Sequence, residues 1–270
     1  MTNPILPLLA LGLYGCVGAL LWRGQRHGGT RGAARVGIYA LALGAIVLHG
    51  ALLYDGLFQP QGLNLGLTQA ISLVAWAVAA LFLAAALTRP VESLGVIIMP
   101  GAGLMLVLAW LWPSQHWIAI ETPLLEHAHI VVSLLAYSLL SIAVLQSVML
   151  TLQERYLRGH RSGGFLGTLP PLETMERLMF QMIAVGFALL TVSVVSGVFF
   201  SEAVFGQALR FTHHVVLSLI AWAVFAVLLI GRWRFGWRGR HAVRWTLAGF
   251  SLLALGYFGS KFVVEVILGR

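Results

Sequence analysis

The sequence predicts an all-α, polytopic integral membrane protein of eight transmembrane helices with both termini on the outer side. Three observations predict it. Of 270 residues, 59% are hydrophobic and 10% charged, and the mean hydropathy is +0.90, whereas a soluble domain is roughly 45–50% apolar and about 25% charged. The apolar residues gather into runs long enough to cross a bilayer, which takes about 20 residues each. The basic residues, finally, collect in alternate connections between those runs.

The runs fall at 4–22, 36–57, 67–88, 94–112, 129–151, 179–200, 213–231 and 243–266. Eight crossings use roughly 160 residues and leave about 110 for connections, so function resides within the bilayer or at its surface. In the first run, Leu13-Tyr14-Gly15-Cys16 faintly resembles a lipoprotein cleavage box. No basic residue precedes it and Tyr14 is bulky, so it reads as an ordinary span. The second run carries His49, and the third carries Gln69, Ser72 and Trp76 on one face. The fourth ends in a tryptophan-rich stretch, Trp110-Leu-Trp112-Pro-Ser-Gln-His116-Trp117. On the fifth, His129, Ser133 and Tyr137 recur at i, i+4 and i+8 and share a helical face. Gly159 to Pro171 is rich in Gly and Pro, and 172–178 alternates charged with apolar residues, which predicts a short interfacial helix leading into the sixth span. The seventh carries His214, Ser218 and Trp222, and the eighth Lys261 and Glu265. No repeat of fixed period is present.

The charge pattern sets the orientation, because Lys- and Arg-rich loops remain cytoplasmic. Arg23, Arg26, Arg31 and Arg35 follow the first run, Arg89 the third, Arg155, Arg158, Arg161 and Arg177 the fifth, and Arg232, Arg234, Arg238, Arg240 and Arg244 the seventh. Only Arg210 and Arg270 fall in the opposite loops, and Lys261 lies inside the last span. The net charge of +8 is therefore mainly a topology signal, with some attraction to anionic lipid heads. A nucleic-acid partner, which needs a basic patch on a soluble face, is excluded; the bilayer is the partner.

Six of the nine histidines, His49, His116, His127, His129, His213 and His214, fall in the outer half of this topology; His27, His160 and His241 lie among cytoplasmic arginines. Imidazole is a common ligand of iron, zinc and copper, and a titratable group inside a span usually faces the bundle interior. His49 is either such a ligand or a histidine bonded to a neighbouring hydroxyl or backbone group. His116 sits in an aromatic belt of the kind that anchors helix ends. His127 is about 200° around the helix from His129, so the two do not share a pocket, and His127 belongs to the rim. The stripes on the third and seventh spans fit either a site or interhelical hydrogen-bond glue. Lys261 and Glu265 read as an ion pair or as snorkelling groups, or as holders of a ligand carboxylate.

Several chemistries lack their residues. The single cysteine, Cys16, rules out an internal disulfide, a CxxC pair and a cysteine-rich metal site. No GxSxG, HExxH or glycine-rich phosphate loop occurs, and nothing argues for an enzyme. A zinc site of histidines alone is one reading. A flat apolar macrocycle with an axial imidazole fits the aromatic surroundings better.

The second half carries a family likeness. His129-Ile-Val-Val-Ser133-Leu-Leu-Ala-Tyr137-Ser138 resembles the His-x7-Tyr helix start of the cytochrome c assembly family (CcsA, CcmC and HemX-like proteins). Gly186-Phe187-Ala-Leu-Leu-Thr191-Val-Ser-Val-Val-Ser196-Gly197 is similar to its "GFxLLTxGxxxG" span, and Ser201-Glu202-Ala203 stands where its "NEA" opens a tryptophan-rich loop. Gly236-Trp237-Arg238-Gly239, Gly249-Phe250 and Tyr257-Phe258-Gly259 resemble its closing "GWRG…GF…YFG" helix. The likeness covers about 129–264, and the layout is similar to the eight-span YpjD-type inner membrane proteins of that family. It implies a single membrane domain, in which 1–128 supplies helices 1–4 and 129–270 the cytochrome c assembly-like core.

In the family's haem-handling members a periplasmic WWD loop holds haem between two histidines for delivery to apocytochrome c. The first histidine maps onto His129. The loop here has no tryptophan and no Asp, and Lys261 stands where the second histidine is expected. The resemblance thus implies an inner membrane protein that binds haem b and acts in cytochrome c biogenesis or haem trafficking, with other biogenesis proteins or apocytochrome as partners. His129 and His49 rank first as iron ligands, His213 and His214 follow, and Tyr137, Trp76 and Trp222 join the cofactor site. The alternatives are a HemX-like regulator or scaffold of tetrapyrrole synthesis and a small-solute transporter.

Overall fold

The computed structural model describes residues 4–27, 29, 32–60, 62–118, 124–159, 164–205 and 213–267. Among them, eight helices are long and apolar enough to cross a membrane: α1 (Ile5–Arg26), α2 (Gly32–Leu57), α3 (Leu67–Thr88), α4 (Glu92–Leu111), α5 (Leu124–Arg158), α6 (Leu172–Phe205), α7 (His213–Phe235) and α8 (Gly239–Ile267). Every predicted span corresponds to one helix. The chain forms two compact units, one of Met1–Ile120 with Leu152–Pro171 and one of Glu121–Thr151 with Leu172–Arg270.

In the first unit, small residues let helices approach closely, as they do where lipid offers no hydrophobic drive for helix association. A side chain at Gly18 of α1 would meet the Pro100 ring of α4 at 2.6 Å, and one at Gly95 would collide with Phe82 and Leu21. Pro100 cannot donate a backbone bond inside α4, and the bare Gly18 leaves room for its ring. The connections at one end fold into a small antiparallel sheet that the sequence reading did not foresee. Its strands are β1 (Phe58–Gln59), β2 (Gly62–Asn64) and β3 (Trp117–Ile118), with Phe58 opposite Leu63 and Asn64 opposite Trp117. Buried Asn64 fixes it: the side-chain oxygen accepts the Gly66 and His116 backbone N–H groups, and its amide donates to the Ser114 carbonyl. These two- and three-residue strands are the one departure from an all-helical chain among the described residues.

In the second unit, Tyr137 and Leu140 of α5, Ile183 of α6, Phe225 and Leu228 of α7 and Leu253 of α8 form a common core. The short interfacial helix expected at 172–178 is instead the first two turns of the continuous helix α6. No Gly or Pro interrupts the chain between Pro171 and Gly186, and Met175, Leu178 and Met179 are buried in protein instead of lying on a membrane surface. At this end Arg232 of α7 donates to the Glu176 carboxylate at 2.8 Å and to the Trp237 carbonyl at 3.1 Å. Gly236 and Gly239, at φ +65° and +55°, permit the sharp α7–α8 turn that positions Trp237. At the other end α8 departs from α-helical spacing in two π-helical stretches, Leu255–Gly259 and Val263–Ile267. Such insertions often accompany functional sites.

Candidate functional site

The helices of the second unit run antiparallel in sequence, so the start of α5, the end of α6, the start of α7 and the end of α8 share one end. That end holds His129, Ser193 and Ser196, His214, and Tyr257 with Lys261. The His129 imidazole is half-buried and held from two helices. Its Nδ1 lies 2.8 Å from Ser196 Oγ and its Nε2 3.4 Å from Ser133 Oγ. Ser133 Oγ donates to the His129 carbonyl at 2.7 Å and also lies 2.6 Å from Ser193 Oγ. The predicted stripe on α5 therefore exists. Its last member, Tyr137, turns to α8 and donates to the Leu253 carbonyl at 2.8 Å.

His214 lies in the first turn of α7 at the same end, its ring close to the Gly256 backbone of α8, where a side chain would come within 3.7 Å of Nδ1. Tyr257 stands edge-on to His214, with ring centroids 5.8 Å apart, and 5.9 Å from Tyr137. Lys261 Nζ sits 5.6 Å from the Tyr257 ring centre and 3.5 Å from Glu265 Oε1. The Lys261 and Glu265 side chains are only 16% and 8% exposed, which makes them the intramembrane ion pair expected. Gly197 of α6 lies against the His129 ring, where a side chain would touch Cε1 at 3.4 Å.

The remaining candidates separate. His49 belongs to the first unit and is fully buried, its Nδ1 3.2 Å from the Tyr14 hydroxyl and its Nε2 3.0 Å from Ser72 Oγ. With both nitrogens bonded to hydroxyls, His49 is a core hydrogen-bond hub of the first unit, whereas His129 belongs to the second. Trp76 donates to the Ile46 carbonyl at 2.9 Å, its ring laid across Gly50. In the first unit the α3 stripe thus acts as helix–helix glue. Trp222 donates to Thr191 Oγ1 at 2.9 Å and stacks on Phe187, a packing role as well. His213 opens α7 as an exposed residue. Residues 206–212 of the altered loop lie outside the described residues. His116 is exposed and held through its backbone N–H, and His127 is half-buried.

Ser193, Ser196 and Tyr257 were missed as site residues. The signal was present: Ser193-Val-Val-Ser196-Gly197 places two hydroxyls and a bare backbone one turn apart.

Among the described residues no group of three or more His, Cys, Asp or Glu side chains gathers to hold a bare metal ion, and the all-histidine zinc reading finds no donor set there. A haem iron takes four ligands from its porphyrin and needs only one or two from protein. His129, whose Nδ1 is held by Ser196 Oγ as metal-binding histidines usually are and whose Nε2 has only the longer 3.4 Å contact to Ser133, and His214 at the same end fit that need.

Comparison with known proteins finds matches over most of the chain. The family model described as "Cytochrome C assembly protein" matches residues 39–268, so the likeness extends well upstream of the 129–264 read from motifs. The chain is 34% identical to Inner membrane protein YpjD of Escherichia coli (strain K12) over 98% of its own length and 99% of that protein. It is 27% identical to Protein HemX of Brevibacillus brevis over 54% of each chain. It is also 30% identical to Cytochrome c biogenesis protein CcsA of Gloeobacter violaceus over 34% of this chain and 28% of that one.

Proposed function

We propose that this chain, which belongs to the Cytochrome C assembly protein family, is a multi-pass inner membrane protein that binds haem b and acts in haem handling for cytochrome c biogenesis. The family membership supports a haem-related role, and the observation that carries the reading is that His129 and His214 stand at the same end of the second unit. Haem, if bound, would supply an iron that takes imidazole nitrogens as ligands.

The chain's own residues do the rest. His129 would be the first ligand: Ser196 holds Nδ1, and Nε2, released from its longer contact to Ser133, would be the donor nitrogen. His214, at the same end beside the Gly256 backbone, would be the second. Gly197 adds no side chain beside His129, and Tyr137 and Tyr257 would supply aromatic walls. Lys261, within the same end, offers a cation to a ligand carboxylate. His213 is the reserve donor beside His214.

The arginine-rich ends lie in the cytoplasm under the positive-inside rule, which puts this site and both termini on the periplasmic side. The relatives named for cytochrome c biogenesis and for HemX support the same setting. Other biogenesis proteins or apocytochrome are its partners, and it binds haem without catalysing a reaction. Haem extraction from the purified protein tests the proposal. It predicts near-stoichiometric haem that falls at least tenfold when His129 and His214 are both replaced by alanine.

A further inference from the structure

At the arginine-bearing end of the first unit, the helix ends enclose a cleft of about 430 Å3. Gln25 closes α1, Arg35 stands near the start of α2, Thr88 and Arg89 lie at the end of α3, and Glu92 occupies the first turn of α4. A 3-10 turn at Phe165–Thr168 adds the Thr168 hydroxyl. The volume suits a small polar ligand.

Its charges are not balanced. Glu92 is the single carboxylate of the lining, and it is already held by Arg35 Nε at 3.0 Å and by the Tyr39 hydroxyl at 2.9 Å. Arg35 also donates to the Ala86 carbonyl at 2.8 Å. Arg89 makes no ion pair among the described residues, so the cleft presents one uncompensated guanidinium, with neutral donors and acceptors from Gln25, Thr88 and Thr168. A planar guanidinium pairs well with phosphate oxygens.

The setting points to lipid. Leu87, in the same wall, is 64% exposed, and Trp22 of the same end is partly exposed with Arg26 stacked 4.2 Å over its ring. Tryptophan and arginine together mark headgroup depth, and basic pockets between helices on the cytoplasmic side take anionic headgroups.

We propose that this cleft binds the phosphodiester headgroup of an anionic phospholipid, the phosphate on Arg89 and an acyl chain along Leu87. Choline carries a cation that Arg89 repels, so the site discriminates against zwitterionic lipid.

Native mass spectrometry of the full-length protein in detergent tests this with phosphatidylglycerol, phosphatidylcholine of the same chains, and glycerol phosphate. Phosphatidylglycerol should bind at one site at least fivefold more strongly than phosphatidylcholine. Arg89→Ala should remove that preference, Arg89→Lys should keep part of it, and Arg158→Ala, an exposed arginine outside the cleft, should leave it intact. Arg89 is exposed and its side chain bonds nothing described, so its replacement leaves the fold in place. Equal binding of the two lipids, or equal loss in the Arg89→Ala and Arg158→Ala variants, overturns the proposal. Binding of glycerol phosphate as strong as that of the lipid overturns the lipid source and leaves a water-soluble phosphate ester as the occupant.

Discussion

Ser196 Oγ of α6 lies 2.8 Å from Nδ1 of His129 on α5, a hydrogen bond between residues 67 apart in sequence that fixes the imidazole's rotation. Ser196 itself is tethered to the Ser193 carbonyl of its own helix. A ring pinned in this way loses little further freedom on taking a ligand at Nε2.

Removing the pin should weaken the ligand without removing it. Ser196→Ala is expected to reduce haem affinity by about 10-fold, the lower range for loss of a group that orients a metal-bound histidine. Ser196→Thr, which keeps the hydroxyl, should hold affinity near the parent value. Spectral titration of the apoprotein with haem measures both.

His49 should behave in the opposite sense. Its replacement by alanine leaves the Tyr14 and Ser72 hydroxyls buried without their partner, at a cost of about 1–3 kcal/mol. The thermal midpoint in detergent should fall while haem content stays at the parent level. A loss of haem with an unchanged midpoint would return His49 to the list of ligands.

Gly18 should be the most size-sensitive position of the α1–α4 interface. The Pro100 ring stands 2.6 Å from where a Cβ would sit, and a proline inside a helix has little freedom to retreat. Gly18→Val is expected to destabilise by roughly 1–3 kcal/mol or more through overpacking. Gly12, with nothing near its Cβ position, should tolerate the same change; thermal unfolding of the two variants compares them.

Orientation is testable with thiol labelling in intact cells, once the exposed native thiol is removed as Cys16→Ser. An impermeant maleimide should reach His116→Cys and fail to reach Thr88→Cys until the membrane is opened. The reverse pattern would invert the topology and place the His129–His214 end in the cytoplasm.

Most of the architecture was legible because span length and the loop arginines are properties of consecutive residues. α3 begins and ends at the predicted residues 67 and 88, where Gly66 and Arg89 bound the apolar run. Extramembrane turns were less legible. The Glu173–Leu178 segment has the pattern of an interfacial helix, and only burial of Met175 and Met179 in the second unit shows it to be part of α6. The β1–β2–β3 sheet depends on Asn64 reaching Ser114, a contact across 50 residues that no local pattern announces. At the site, the spacing of His129, Ser133 and Tyr137 placed three residues on one face. It could not say that Trp76 and His49 would spend their polar atoms on α2–α3 packing, because a ligand stripe and a glue stripe share the same period.

The absorption spectrum of the purified protein, oxidised and then reduced, tests the central claim most directly. Two axial histidines predict a Soret band that shifts on reduction, with the sharp visible bands of six-coordinate low-spin haem, and loss of both features when His129 and His214 are replaced together. A protein from haem-replete cells with no Soret band, or with a band indifferent to that double replacement, contradicts it.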